Sequence, residues 1–124
     1  MNEYYKHLLS KALGEIDKLG GTAAMVCGNI GIGTENFEKN IKLIKNKIEE
    51  LSKKENVFDQ INYLDVFNEN APCLYGEKFE VFYKKLIQSG KINKLYVLRG
   101  FENSKGTLSE IEFAKEAKVP ITFL

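Results

Sequence analysis

The sequence predicts an α/β domain in which a parallel sheet is covered by helices on both faces. Three observations predict it. Short apolar runs at residues 22–27 and 95–98 have the length of buried strands, and glycines bound the first of them. Longer stretches with apolar residues at helical spacing lie before, between and after these runs, so helix-like and strand-like segments alternate. At 124 residues, 44% hydrophobic and 28% charged, the chain has the size and composition of one folded domain. Alternation of this kind implies parallel strands joined by right-handed crossovers.

Each element can be justified in order. Residues 1–19 read as an amphipathic helix. Tyr5, Leu8, Leu9, Ala12, Ile16 and Leu19 recur at helical spacing, with Lys6, Lys11, Asp17 and Lys18 between them. Gly20-Gly21 ends it. The first strand follows, and then the turn Gly28-Asn29-Ile30-Gly31-Ile32-Gly33. Thr34 is the expected N-cap of a second helix, whose stripe is Phe37, Ile41, Ile44, Ile48 and Leu51. A second strand is expected within residues 60–66, on a weak alternation around Ile61 and Tyr63. Residues 68–76, with Pro72, read as a loop. Phe79, Phe82, Tyr83, Leu86 and Ile87 predict a third helix stopped near Gly90. The run 95–98 is the third strand, and 99–105 a loop. Gly106 opens a fourth helix with Leu108, Ile111, Ala114 and Ala117 facing inward. Residues 119–124 close the chain as a strand, with Pro120 tolerated at its start.

Composition excludes several classes of function. Eighteen basic and seventeen acidic residues leave a net charge of +1, which gives no electrostatic footprint for a nucleic-acid polymer. A small anion needs only a few donors and stays possible. Cys27 and Cys73 form neither a CxxC pair nor a disulfide framework, so no zinc site is expected and a reduced, cytoplasmic setting fits. No stretch approaches the roughly 20 apolar residues of a membrane span. His7 is the single histidine, on the N-terminal helix, so a histidine metal site and a Ser-His-Asp triad both lack parts.

In a parallel sheet ligands bind beyond the carboxyl ends of the strands, where strand order reverses. Two segments are expected there. In the first, glycines around Gly28, Asn29, Ile30 and Gly31 let backbone N–H groups approach a ligand, although the spacing is neither a dinucleotide fingerprint nor a P-loop. A tight strand-to-helix turn would need the same glycines. In the second, Ser104, Gly106 and Thr107 lie where a helix begins, and Glu110 falls within or just past its first turn. The helix dipole favours an ionised carboxylate there by about 0.3–1 kcal/mol. Such a group either stabilises the helix start or attacks a sugar's anomeric carbon.

The segment 95–110, Leu-Tyr-Val-Leu-Arg-Gly-Phe-Glu-Asn-Ser-Lys-Gly-Thr-Leu-Ser-Glu, followed by Ala114 and Val119-Pro120-Ile121, resembles the nucleoside 2-deoxyribosyltransferase-like superfamily. The shared pattern is G-[WF]-x-x-S-x-G-[AT]-x-x-E after an apolar strand. Val26-Cys27-Gly28-Asn29-Ile30 looks more loosely like the same family's first turn. The resemblance implies a flavodoxin-like (Rossmann-like) sheet of about four to five strands. It also implies an N-glycosidic bond hydrolase or deoxyribosyl transferase, acting on a nucleoside or nucleoside 5′-monophosphate, with Glu110 as nucleophile. Gly28, Asn29, Ile30, Gly31, Phe101, Glu102, Ser104, Gly106 and Thr107 would then line the substrate site. No cofactor or metal is implied, and a homodimer or larger homo-oligomer is. The chain departs from the family at Lys84-Lys85 and Asn93, where acids are common; Glu102 and Asp65 are the nearest replacements. Without those acids, a nucleotide-binding module that has lost catalysis is the alternative. Gly106-Thr107-Leu108-Ser109-Glu110 also resembles the glycine-rich segment of lysine-decarboxylase-like phosphoribohydrolases, but the second glycine-rich turn of that family is missing. A purely structural oligomerisation domain is the remaining reading.

Overall fold

The computed structural model describes residues 3–30, 34–63 and 77–124. Within them the order is α1 (Glu3–Leu19), β1 (Ala23–Cys27), α2 (Phe37–Ser52), a 3-10 turn (Gln60–Tyr63), α3 (Glu77–Ile87), β2 (Ile92–Val97), a 3-10 turn (Phe101–Asn103), α4 (Lys105–Glu116) and β3 (Ile121–Phe123). The strands form a small parallel sheet in the order β1-β2-β3. This is a mixed α/β architecture, consistent with a Rossmann-like fold, with three strands among the described residues, fewer than the four to five expected.

The missing strand has a physical explanation. Every residue of β1 is buried, as expected of a strand with neighbours on both sides. One neighbour is β2. On the other side the chain at Val57 makes a single parallel bridge with Ala24. There the Ala24 N–H donates to the Asn56 carbonyl and the Phe58 N–H to the Ala24 carbonyl, both at 2.9 Å. The chain then coils into the 3-10 turn in place of the strand expected at residues 60–66, of which 64–66 lie outside the described residues. Buried Gln60 replaces what the strand would have supplied, since its Nε2 donates to the Val26 carbonyl. A side-chain amide thus continues the ladder for one step after the backbone has left it. Gln60→Leu would strand that carbonyl in the core. The expected cost is about 1–3 kcal/mol, read as a lower urea midpoint at unchanged m-value.

Helix α1 contributes Tyr5, Leu8, Ala12 and Ile16 to the core, so Tyr5 is a core residue. It ends at Gly20, whose φ of 126° only glycine adopts without strain. Helix α3 adds Phe82, Tyr83, Leu86 and Ile87 and packs against both α1 and α4. Helix α2 packs on β1 through Ile44 and Ile48. Its N-cap is Asn36 and not Thr34, whose hydroxyl instead accepts from the Asn36 N–H at 3.3 Å. Strand β3 begins one residue after Pro120, whose carbonyl accepts from the Leu95 N–H at 2.9 Å.

The main departure from sequence periodicity lies in α4. Its buried face carries Thr107, Glu110, Ile111 and Ala114. Leu108, expected inside, is 42% exposed, and Ala117 is exposed as well. One helical position is a rotation of about 100°. The buried face keeps Ile111 and Ala114 but turns by less than one such step, which exchanges Leu108 for Thr107 and brings Glu110 into the interior.

Candidate functional site

β1 and β2 leave the sheet side by side, and the Leu98 N–H still donates to the Cys27 carbonyl at 2.9 Å. The chain runs from β1 to Val57 on one side and returns to β2 on the other. The carboxyl ends of β1 and β2 therefore flank the point where strand order reverses. Both segments singled out from the sequence start there.

Gly28 is buried against Leu98. A Cβ at Gly28 would stand 3.1 Å from Leu98 Cδ1 and 3.2 Å from Leu98 Cβ, so glycine is needed for close packing and its φ is not left-handed. Gly28→Ala should cost about 1 kcal/mol by overpacking. Thermal melts of the single and double variants check this: Gly28→Ala with Leu98→Ala should lose less than the two losses added. Asn29 is half-buried, and the Ile30 carbonyl accepts from Asn40 Nδ2 at 3.4 Å. Gly31 lies outside the described residues, as do Asp65 and Cys73.

Beyond β2, Gly100 has a φ of 87°, a left-handed turn suited to glycine, and it opens the Phe101–Asn103 turn. Phe101 packs on Phe123 with ring centroids 5.3 Å apart, and Glu102 is exposed. Ser104 is the N-cap of α4: its Oγ accepts from the Thr107 N–H at 3.2 Å and from the Thr107 hydroxyl at 3.0 Å. The Ser104 O–H proton is not used in those two bonds. At Gly106 an added Cβ would meet nothing closer than Ser104 Oγ at 4.0 Å, so the space there does not demand glycine.

Glu110 is only 8% exposed. Loss of hydration on burial pushes its carboxyl from the ordinary 4.5 up to about 7, and a hydrogen bond with the Cys27 thiol acts the other way. The helix dipole does not hold it ionised, because Glu110 is the sixth residue of α4 and the dipole acts mainly within the first turn. Burial decides its charge. Cys27 and Tyr83 are also buried, and burial and then the Glu110 charge push both well above their ordinary values. In the sequence Cys27 is simply the last residue of the apolar run 22–27. What the sequence did not show was that β1 and α4 would bring this thiol to Glu110, a contact between residues 83 positions apart in a sequence of 124.

A cleft of about 430 Å³ opens over the same strand ends. Asn29, Arg99 and Gly100 line it from the two loops, and Asn40 and Lys47 from α2. Glu110 does not line it. Of the expected residues, Asn29 lines the cleft, Ser104 and Thr107 bond each other at the start of α4, and Glu110 meets Cys27. Arg99 and Asn103 belong to the loop expected to carry function, without being named there as ligand residues, and Lys47 is not expected at the site at all. Arg99 and Asn103 follow the end of β2, whereas Lys47 reaches the cleft from the side of α2, and no local spacing marks it.

Among the described residues no cluster of His, Cys, Asp or Glu is grouped to hold a metal ion, and no helix is long and apolar enough to cross a membrane. No family model, no curated protein and no solved structure matches this chain.

Proposed function

We propose that this chain breaks the N-glycosidic bond of a nucleoside or nucleoside 5′-monophosphate, as a hydrolase or deoxyribosyl transferase, with Glu110 as nucleophile. The observation that supports the reading is a buried carboxyl, Glu110 of the S-x-G-T-x-x-E segment, against Cys27 at the end of β1, where loss of hydration pushes it up to about 7. Near neutral pH a substantial fraction of Glu110 is ionised, and the ionised form is poorly hydrated and therefore reactive. A carboxylate oxygen attacks C1′. The C1′–N bond breaks with its electron pair going to the base, which takes up a proton from solvent water and leaves. Water, or a second base, then displaces Glu110 from C1′ and restores the carboxylate. The chemistry needs no metal or cofactor. Ser104, Gly106 and Thr107 at the start of α4, with Gly28, Asn29, Ile30, Gly31, Phe101 and Glu102, form the substrate surroundings in this reading. A second copy of the chain that helps to close the site belongs to the same reading.

Incubation with a panel of deoxynucleosides, ribonucleosides and their 5′-monophosphates tests it. Chromatography should show free base appearing from one class. Added acceptor base that yields a new nucleoside marks a transferase, and free sugar marks a hydrolase. No release from any member of the panel would overturn the assignment.

A second reading is favoured by one observation: Glu110 does not line the 430 Å³ cleft. In that reading the chain is a nucleotide-binding module without catalysis, and binding with no product after long incubation identifies it.

A further inference from the structure

The reaction leaves one contact of Glu110 without a role. Its carboxyl is buried, belongs to no ion pair among the described residues, and has the Cys27 thiol as a hydrogen-bond partner. Both ends of that contact are held by the fold. Cys27 is the last residue of β1 and fully buried; it pairs with Val97, and its carbonyl accepts from the Leu98 N–H, so the sheet fixes its sulfur. Glu110 stands on the inward face of α4 with Thr107, Ile111 and Ala114. In register with Met25 and Cys27, β2 presents Leu95 and Val97, which carry no charge. From α3 the titratable group facing the pair is Tyr83, buried and held neutral by burial and then by the Glu110 charge.

We propose that Cys27 is a positioning residue for Glu110: its S–H donates to one carboxylate oxygen and leaves the other turned toward C1′. The role toward C1′ rests on the reading of Glu110 as nucleophile, whereas the contact does not. A thiol has one proton to give and a carboxylate has two oxygens to receive it, so one oxygen stays free. A donor to the charged form favours that form, and the thiol offsets part of what burial costs the carboxylate. The S–H is a weak donor, which suits the task. A lysine or a backbone N–H in its place would stabilise the carboxylate more and make it a poorer nucleophile. Cys27 keeps its proton throughout, since burial and then the Glu110 charge push the thiol well above its ordinary value.

Urea unfolding of the full chain between pH 4.5 and 8.5 tests the contact without using activity. Stability falls with pH and levels off where the folded Glu110 ionises. In Cys27→Ala that point should move upward by about half a pH unit or more. A merely structural thiol would lower stability equally at every pH. Cys27→Ser keeps a donor and should bring the point back to the parent's or below it. In the base-release assay Cys27→Ala should lose roughly threefold at pH 6 and recover by pH 8.5, where Glu110 is ionised in both proteins. A third readout needs no change at Cys27. In the Cys73→Ser chain, which keeps one thiol, the infrared S–H stretch should fall in frequency as pH rises through about 7. The same chain carrying Glu110→Gln should show no such change. An unmoved point in Cys27→Ala, an equal movement in Tyr83→Phe, or an S–H stretch indifferent to pH would overturn the proposal. No base release by the parent overturns the reaction and the oxygen turned toward C1′, while the unfolding and infrared readouts still decide the contact.

Discussion

Replacing Glu110 by Gln is expected to abolish base release while making the fold more stable above neutral pH. The two effects have one cause. Burial holds the carboxyl near 7 in the folded chain, against an ordinary 4.5. Below pH 4.5 both folded and unfolded chains carry the proton, and Glu110 exacts no penalty. Between 4.5 and about 7 the unfolded chain gives up its proton first, so stability falls as pH rises. Above about 7 the loss is complete, at about 3 kcal/mol. Glutamine keeps the shape and cannot ionise. Urea unfolding of the two proteins should therefore give similar stabilities at pH 4.5 and a gap approaching that figure at pH 8, with the variant the more stable. An equal difference at both pH values would mean that Glu110 is not held protonated. In the base-release assay the parent rate should rise through about pH 7 as the nucleophile ionises. The variant should lose roughly three orders of magnitude or more. Stability gained together with activity lost is the mark of a residue kept for chemistry and not for folding.

Leu95→Ala is expected to be the most damaging single truncation in the sheet. Leu95 is fully buried in β2, opposite Met25 of β1 and Ile121 of β3, so its side chain sits where all three strands meet. The loss should be about 3–5 kcal/mol, the range for a buried leucine whose surroundings cannot collapse into the gap. For a chain of this size that corresponds to roughly 10–20 °C in the melting midpoint. Leu108→Ala on the outer face of α4 should change the same midpoint by only a degree or two, because little apolar surface is lost there.

These two substitutions show where reading the sequence works and where it stops. Leu95 sits in an unbroken apolar run, and a strand buried on both faces has no other way to look. The stripes of α1, α2 and α3 were equally legible, since Ala12, Ile16, Ile44, Ile48, Leu86 and Ile87 all fall on the expected faces. In α4 the pattern places Ile111 and Ala114 correctly and misses at the edge, where Thr107 and Glu110 are buried and Leu108 is not. Leu108 and Glu110 compete for the interior, hydrophobicity favours Leu108, and the contacts of α4 with α3 and β2 favour Glu110. The segment after α2 departs from its expectation for a related reason. Ile61 and Tyr63 are buried, but from a 3-10 turn, and alternation over so few residues does not separate the two conformations.

The sequence by itself determined the class of fold, the central strand, the helix stripes and the segment that carries Glu110. Those follow from the local period of apolar residues and from the glycines that punctuate it. The tertiary structure decided how many strands pair, which face of α4 turns inward, and that the Cys27 thiol meets the Glu110 carboxyl. It also decided that Arg99 lines a cleft with side chains of α2. Each of these depends on residues far apart in the chain, and the charge of Glu110 depends on how much water they exclude. No local pattern encodes that exclusion, and it is what moves Glu110 from an ordinary acid near 4.5 to one titrating near neutrality.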